Sequence, residues 1–233
     1  MREIILDTET TGLSPQDGHR IVEIGCLELF NHVPTGESFH CYLNPERDMP
    51  RQAEAIHGLS AQFLADKPRF VDVIDQLLEF LSDSPLVIHN AEFDLAFLNA
   101  ELTRLERATF GSERAVDTLS LARRRFPGAP ASLDALCKRF GVDNTGRTKH
   151  GALLDSELLA AVYLELLGGR QPGLVLDATR IAVEGIVGQA GMTTPARIRP
   201  VPRPILLTKE EEEAHEKFIA SLEGDILWVR LKA

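Results

Sequence analysis

Residues 85–107, PLVIHNAEFDLAFLNAELTRLER, decide the fold class. Pro85 leads into Leu86-Val87-Ile88, an apolar run without alternation, the pattern of a short strand buried on both faces. Glu92–Arg107 then reads as a helix, with Asn90 placed to cap it. Upstream, Phe70–Ser82 carries Phe70, Val73, Ile74, Leu77, Leu78 and Leu81 at helical spacing, and Gln52–His57 is a shorter helical piece. Before these come three β-rich runs, Glu3–Thr8, Ile21–Phe30 and Glu37–Leu43, separated by turn residues that suit a meander of hairpins. Downstream, Ala115–Asp117 reads as a last edge strand, followed by helices near Leu119–Phe126 and Ser132–Phe140. The strongest helix, Gly151–Leu167, is stopped by Gly168-Gly169. The order predicts an α/β domain over residues 1–170, with a mixed five-stranded sheet flanked by helices.

Composition narrows the function. The 233-residue chain is 44% hydrophobic and carries a net charge of −10. That argues against holding nucleic acid or an anionic membrane by bulk positive charge. Three widely spaced cysteines, Cys26, Cys41 and Cys137, form neither a disulfide scaffold nor a zinc knuckle, and a reducing cytoplasm suits them. An acid already at Glu3 is too early for a secretory signal, and no apolar run spans a bilayer. A soluble cytoplasmic protein without a membrane partner is expected.

The last third differs. Residues 1–170 hold 17 basic and 26 acidic residues, against 8 and 9 in residues 171–233. Residues 192–204, MTTPARIRPVPRP, contain four prolines and three arginines, so 171–204 reads as a flexible, extended tether. Thr208 and Glu211 form a T-x-x-E capping box that opens a helix to about Glu223, stopped by Gly224. Ile226-Leu227-Trp228-Val229 follows. A lone helix and one apolar stretch cannot bury their own apolar face, so 205–233 either folds back or docks on a partner; the proline-rich tether favours docking.

Three acidic segments carry the chemistry. In Asp7-Thr8-Glu9-Thr10-Thr11-Gly12, Asp7 and Glu9 stand two apart on a strand and share a face. Two such carboxylates repel, and a hard divalent cation removes the cost, although a solvated strand end reads the same way. In His89-Asn90-Ala91-Glu92-Phe93-Asp94, Asp94 falls in the first helical turn, where the helix dipole favours an acid; His89 alone reads as a satisfied core histidine. In His150-Gly151-Ala152-Leu153-Leu154-Asp155, five steps of about 100° leave the two ends roughly 140° apart. His150 therefore belongs to the loop before the helix, with Asp155 near the first turn and facing inward. A loop histidine is a natural general base near neutral pH.

D-x-E-T-T-G, H-N-A-x-F-D and H-x-A-x-x-D, in this order, resemble the three motifs of the DEDDh 3′→5′ exonucleases. His57-Gly58-Leu59, Val116-Asp117-Thr118-Leu119, Ser132-Leu133-Asp134-Ala135-Leu136 and Glu211-Glu212-Glu213-Ala214-His215-Glu216 extend the resemblance to its proofreading branch. The resemblance implies an RNase H-like sheet and two divalent ions, Mg²⁺ or Mn²⁺, held by Asp7, Glu9, Asp94 and Asp155. In it Asp7 bridges the ions, Asp94 acts partly through water, and His150 is the general base. Asp7, Glu9 and Asp155 also meet the substrate, and Gln52 and His57 align with a segment that contacts the terminal nucleotide. Gln52 stands where a comparable enzyme carries an acid.

The implied substrate is a DNA 3′ end, single-stranded or frayed. The implied partners are the alpha subunit of bacterial DNA polymerase III, met through the tail, and a small accessory core subunit. Gln171-Pro172-Gly173-Leu174-Val175-Leu176 has the pattern Q-x-x-L-x-L and resembles peptides that enter a pocket of the sliding clamp; an ordinary linker start reads the same way. Arg123-Arg124-Arg125 reads as a solvated helical face, with contact to the DNA strand as the sharper alternative. A stand-alone exoribonuclease that trims oligonucleotides would share the catalytic motifs, but such enzymes usually stop near residue 170. A non-catalytic module bridging clamp and polymerase would not need four carboxylates and His150.

Overall fold

A computed structural model describes residues 1–146, 149–169 and 208–221. The chain divides into two units, residues 1–176 and 177–233.

The first unit is built on a five-stranded sheet. Its strands are β1 (Arg2–Thr10), β2 (Ile21–Phe30), β3 (Val33–Tyr42), β4 (Leu86–Ile88) and β5 (Ala115–Asp117), arranged in the order β3-β2-β1-β4-β5. β1, β2 and β3 form the expected antiparallel meander, while β4 and β5 add parallel to β1. The helices of this unit are α1 (Arg51–His57), α2 (Ala61–Leu64), α3 (Phe70–Leu81), α4 (Ala91–Arg104), α5 (Thr118–Arg125), α6 (Leu133–Phe140) and α7 (Ala152–Leu166).

The period of two along β1 divides the core. Ile4 and Leu6, with Leu86 and Ile88 of β4, pack against α3 and α4. Ile5 and Val87 point the other way and pack against α5, α6 and α7. All three β4 residues are fully buried, as an apolar run without alternation requires. Each such side chain contributes about 1.5–3 kcal/mol of burial. The same period carries Asp7 and Glu9 onto the face of Ile5, toward α7.

Two expectations need correction. β3 begins at Val33 rather than Glu37. Asn31 and His32 are both left-handed, with φ of 50° and 65°, the geometry of a tight two-residue hairpin. Pro34 is admitted because β3 is an edge strand, so its missing N–H costs nothing there. Asn90 does precede α4, but it is left-handed (φ 69°) and its side chain makes no capping bond. The cap comes instead from Asp117, whose Oδ1 accepts the Asn90 and Ala91 N–H groups at 3.0 and 3.4 Å.

In the second unit, α8 (Lys209–Ser221) opens on the expected reciprocal box. Glu211 accepts from the Thr208 N–H at 2.9 Å, and the Thr208 hydroxyl accepts from the Glu211 N–H at 3.3 Å. The tether 171–204, the peptide Gln171–Leu176, the stop at Gly224 and the run Ile226–Val229 lie outside the described residues. So does the end of the first domain at Arg170.

Candidate active site

The site forms just beyond the C-terminal end of β4, where β1 runs on past its parallel neighbour, the end at which open α/β sheets present their crevice. A cavity of about 550 Å³ opens there, and Asp7, Glu9, Asp94, His150 and Asp155 all line it. Asp7 and Glu9 come from the end of β1. Asp94 comes from the first turn of α4 and Asp155 from the first turn of α7, each 3% exposed. Within this set Glu9, His150 and Asp155 each offer a ligand atom within 4.8 Å of the others. Asp7 and Asp94 line the same cavity.

Asp94 is held from β1: its Oδ1 accepts the Thr8 N–H at 3.0 Å and the Thr8 hydroxyl at 2.7 Å. Burial nonetheless pushes its carboxyl up to about 7, the Thr8 bonds only partly opposing this. A buried acid so reluctant to ionise, beside three further carboxylates and an imidazole, is a donor set that fits hard divalent cations.

His150 sits in the loop before α7, about half-exposed, with Nδ1 3.3 Å from Asp155 Oδ2. Its loop is tied to the end of α1. The His150 N–H donates to the Ile56 carbonyl at 3.3 Å, and the Lys149 ammonium donates to the Ala55 carbonyl. The histidine that can move a proton is thereby indexed to the helix that carries Gln52 and His57.

Those two residues line a second cavity of about 480 Å³ beside α1. Gln52 is exposed at its edge, and His57 is buried. His57 Nδ1 accepts the Leu59 N–H at 3.0 Å, which assigns the proton to Nε2. Nε2 is buried without a well-formed hydrogen bond, although the Thr10 backbone attracts its proton. Desolvation leads the causes that lower the pKa of His57, so the ring stays neutral at pH 7. His89 is likewise lowered chiefly by burial and pairs through Nδ1 with the Thr118 hydroxyl at 2.9 Å, the satisfied histidine expected.

Two positioning residues escaped the sequence reading. A Cβ on Gly25, in the middle of β2, would lie 2.3 Å from the Ala152 and Leu153 backbone. Only glycine lets the start of α7 settle on the sheet, where the Ser156 hydroxyl donates to the Gly25 carbonyl at 2.9 Å. An isolated glycine inside an apolar strand was the available signal. Asp117 was the other. Besides capping α4, it accepts from the Leu119 and Ser120 N–H groups at the start of α5. Burial alone would raise its pKa; the Ser120 hydroxyl and the Ala91, Asn90 and Leu119 N–H groups outweigh burial and lower it.

A mixed five-stranded sheet brings acids from β1, α4 and α7 to a loop histidine in one cavity, a donor set suited to metal-assisted hydrolysis. The exonuclease family profile matches residues 4–163. The chain is 52% identical over 225 residues to DNA polymerase III subunit epsilon of Rickettsia felis, covering 95% of this chain and 97% of that one. It is 40% identical over 241 residues to the Escherichia coli K12 protein of the same name, covering 97% of each. The chain belongs to the exonuclease family, in its DNA polymerase III epsilon branch. Exonuclease X in complex with 5′ overhanging duplex DNA is similar in structure, with a TM-score of 0.56 and 30% identity over 70% of this chain and 90% of that one. The nuclease domain of 3′hExo, a DEDDh family member bound to rAMP, shares the fold at a TM-score of 0.63 and 18% identity, over 71% of this chain and 91% of that one.

Proposed function

We propose that this chain is the 3′→5′ proofreading exonuclease of a bacterial replicative DNA polymerase, removing mispaired 3′-terminal nucleotides as 5′-monophosphates. The observation that carries this is the meeting of Asp7, Glu9, Asp94, Asp155 and His150 in one cavity of a chain 52% identical to an epsilon subunit.

Asp7, Glu9, Asp94 and Asp155 hold two divalent ions, Mg²⁺ or Mn²⁺. When bound, such ions supply positive charge that stabilises the attacking and leaving oxygens of a phosphodiester. His150 takes a proton from the attacking water; its half-exposed position lets it pass that proton to solvent. Asp155 Oδ2, 3.3 Å from Nδ1, orients the imidazole ring. Water's oxygen bonds to the terminal phosphorus as the bond to the preceding 3′-oxygen breaks. The departing 3′-oxygen takes a proton from solvent, so the shortened strand keeps a 3′-hydroxyl and a nucleoside 5′-monophosphate departs. Gln52 and His57 receive the terminal nucleoside in the cavity beside α1. A site that meets its substrate through ions, and receives it from a partner, needs little positive charge of its own, which accommodates the net charge of −10.

Residues 1–170 act as the catalytic domain and 171–204 as the tether, and 205–233 dock on the polymerase alpha subunit. Gln171–Leu176 engages the sliding clamp, and a small accessory subunit completes the core in the cytoplasmic replisome. Among the described residues no helix is long and apolar enough to cross a membrane.

The test is digestion of a 5′-labelled DNA single strand with Mg²⁺ and with EDTA. Stepwise shortening from the 3′ end with release of 5′-monophosphates, abolished by EDTA, is expected. Internal cuts, or loss from the 5′ end, would contradict the reading; a marked preference for short RNA would favour a trimming enzyme.

A further inference from the structure

The two cavities meet at a common wall of Thr8, Glu9 and Phe93. If the terminal nucleoside lies beside α1 and its phosphate at the acids, the preceding nucleotide must continue into the catalytic cavity, toward α5 and α6. That part of the wall carries Arg123, beside the neutral His89. Among the described residues that line this cavity, Arg123 is the one lysine or arginine.

The three consecutive arginines have separate fates. Arg125 donates to the Glu165 and Leu166 carbonyls at the end of α7, and its guanidinium lies over Phe126. Arg124 is exposed at the end of α5. Arg123 is exposed on the cavity wall, and among the described residues no hydrogen bond or ion pair engages its guanidinium. A fork of donors on a wall otherwise rich in carboxylates matches the geometry of a phosphate.

We propose that Arg123 binds the phosphate immediately 5′ of the scissile one, so that the enzyme grips two successive phosphates by different means. This rests on the exonuclease reading. The contact recognises backbone and not base, as removal of any terminal nucleotide requires.

The experiment compares two substrates with the purified full-length chain and Mn²⁺: the p-nitrophenyl ester of thymidine 5′-monophosphate, which has no upstream phosphate, and a short DNA single strand. Arg123→Ala is expected to lower kcat/KM on the strand about tenfold more than on the ester, mainly through KM. Arg123→Lys should recover part of the loss, and Arg124→Ala should leave both substrates alone. A neutral methylphosphonate at the linkage 5′ of the scissile one should reproduce the loss in the parent and add nothing in Arg123→Ala. Equal losses on both substrates, or a methylphosphonate penalty undiminished in the variant, would overturn the assignment. If the parent hydrolyses neither substrate, the exonuclease reading itself fails, and the subsite with it.

Discussion

Asp94 carries the electrostatic tension of the cavity. Its carboxyl is buried and pushed up to about 7, well above the value of an acid in an unfolded chain. An acid raised in the folded state contributes stability that is fully present below its unfolded pKa and lost as pH rises through the folded one. Without divalent ions the melting temperature should therefore fall between pH 5 and pH 8, by about 5 °C. Mg²⁺ or Mn²⁺ should restore more at pH 8 than at pH 5. Asp94→Asn should flatten both responses; calorimetry in EDTA and in excess metal measures them, and an unchanged pH slope in that variant would refute the assignment. For His150, replacement by Ala should cost about 10²–10⁴ in kcat while sparing fold and metal-dependent stabilisation. Single-turnover digestion beside circular dichroism separates these effects, and a loss below threefold would exclude it as the base.

At the level of elements, the acids are positioned by residues outside the described cavity lining. Gly25 gives α7 its seat, so Gly25→Ala must push back the backbone at Ala152 and Leu153 and with it Asp155. Its activity should fall at least tenfold, and Ser156→Ala, which removes only the seat's hydrogen bond, should be milder; equal activities of Gly25→Ala and the parent would show that α7 yields without moving the site. Asp117 caps two helices, so Asp117→Ala should cost about 1–3 kcal/mol in urea unfolding. As its pKa is depressed, this contribution is present above the unfolded value and lost as pH falls through the folded one.

Much of the element order was legible because apolar periodicity reports burial directly. β2 and β4 fall at their expected bounds, and the inward turn of Asp155 follows from helical phase. β3 was read short because its first residues are exposed on both sides, so no alternation marks them. The cap of α4 was misassigned because Asp117 lies 27 residues from Asn90, a partnership that local sequence cannot display. The acids were visible as motifs, whereas the closeness of Glu9, His150 and Asp155 is a property of the assembled sheet edge. The joining of the His150 loop to α1 is likewise tertiary: Lys149 reaches Ala55 across 94 positions.

At the scale of the whole molecule, the proposed function divides chemistry and delivery between residues 1–170 and the tail, and this division is testable. Ending the chain after residue 204 should leave hydrolysis of single-stranded DNA within about twofold and abolish co-elution with the alpha subunit in size-exclusion chromatography; retained co-elution would remove the tail from the interface. The central claim, that the carboxylate cavity removes mispaired ends, is tested most directly by primer–template digestion with paired and mispaired 3′ termini, with Mg²⁺, in the parent and in Asp7→Ala. Faster release of the mispaired nucleotide as its 5′-monophosphate, absent in Asp7→Ala and in EDTA, is the predicted result. Equal rates on both termini would contradict proofreading, and activity surviving in Asp7→Ala would contradict the carboxylate site.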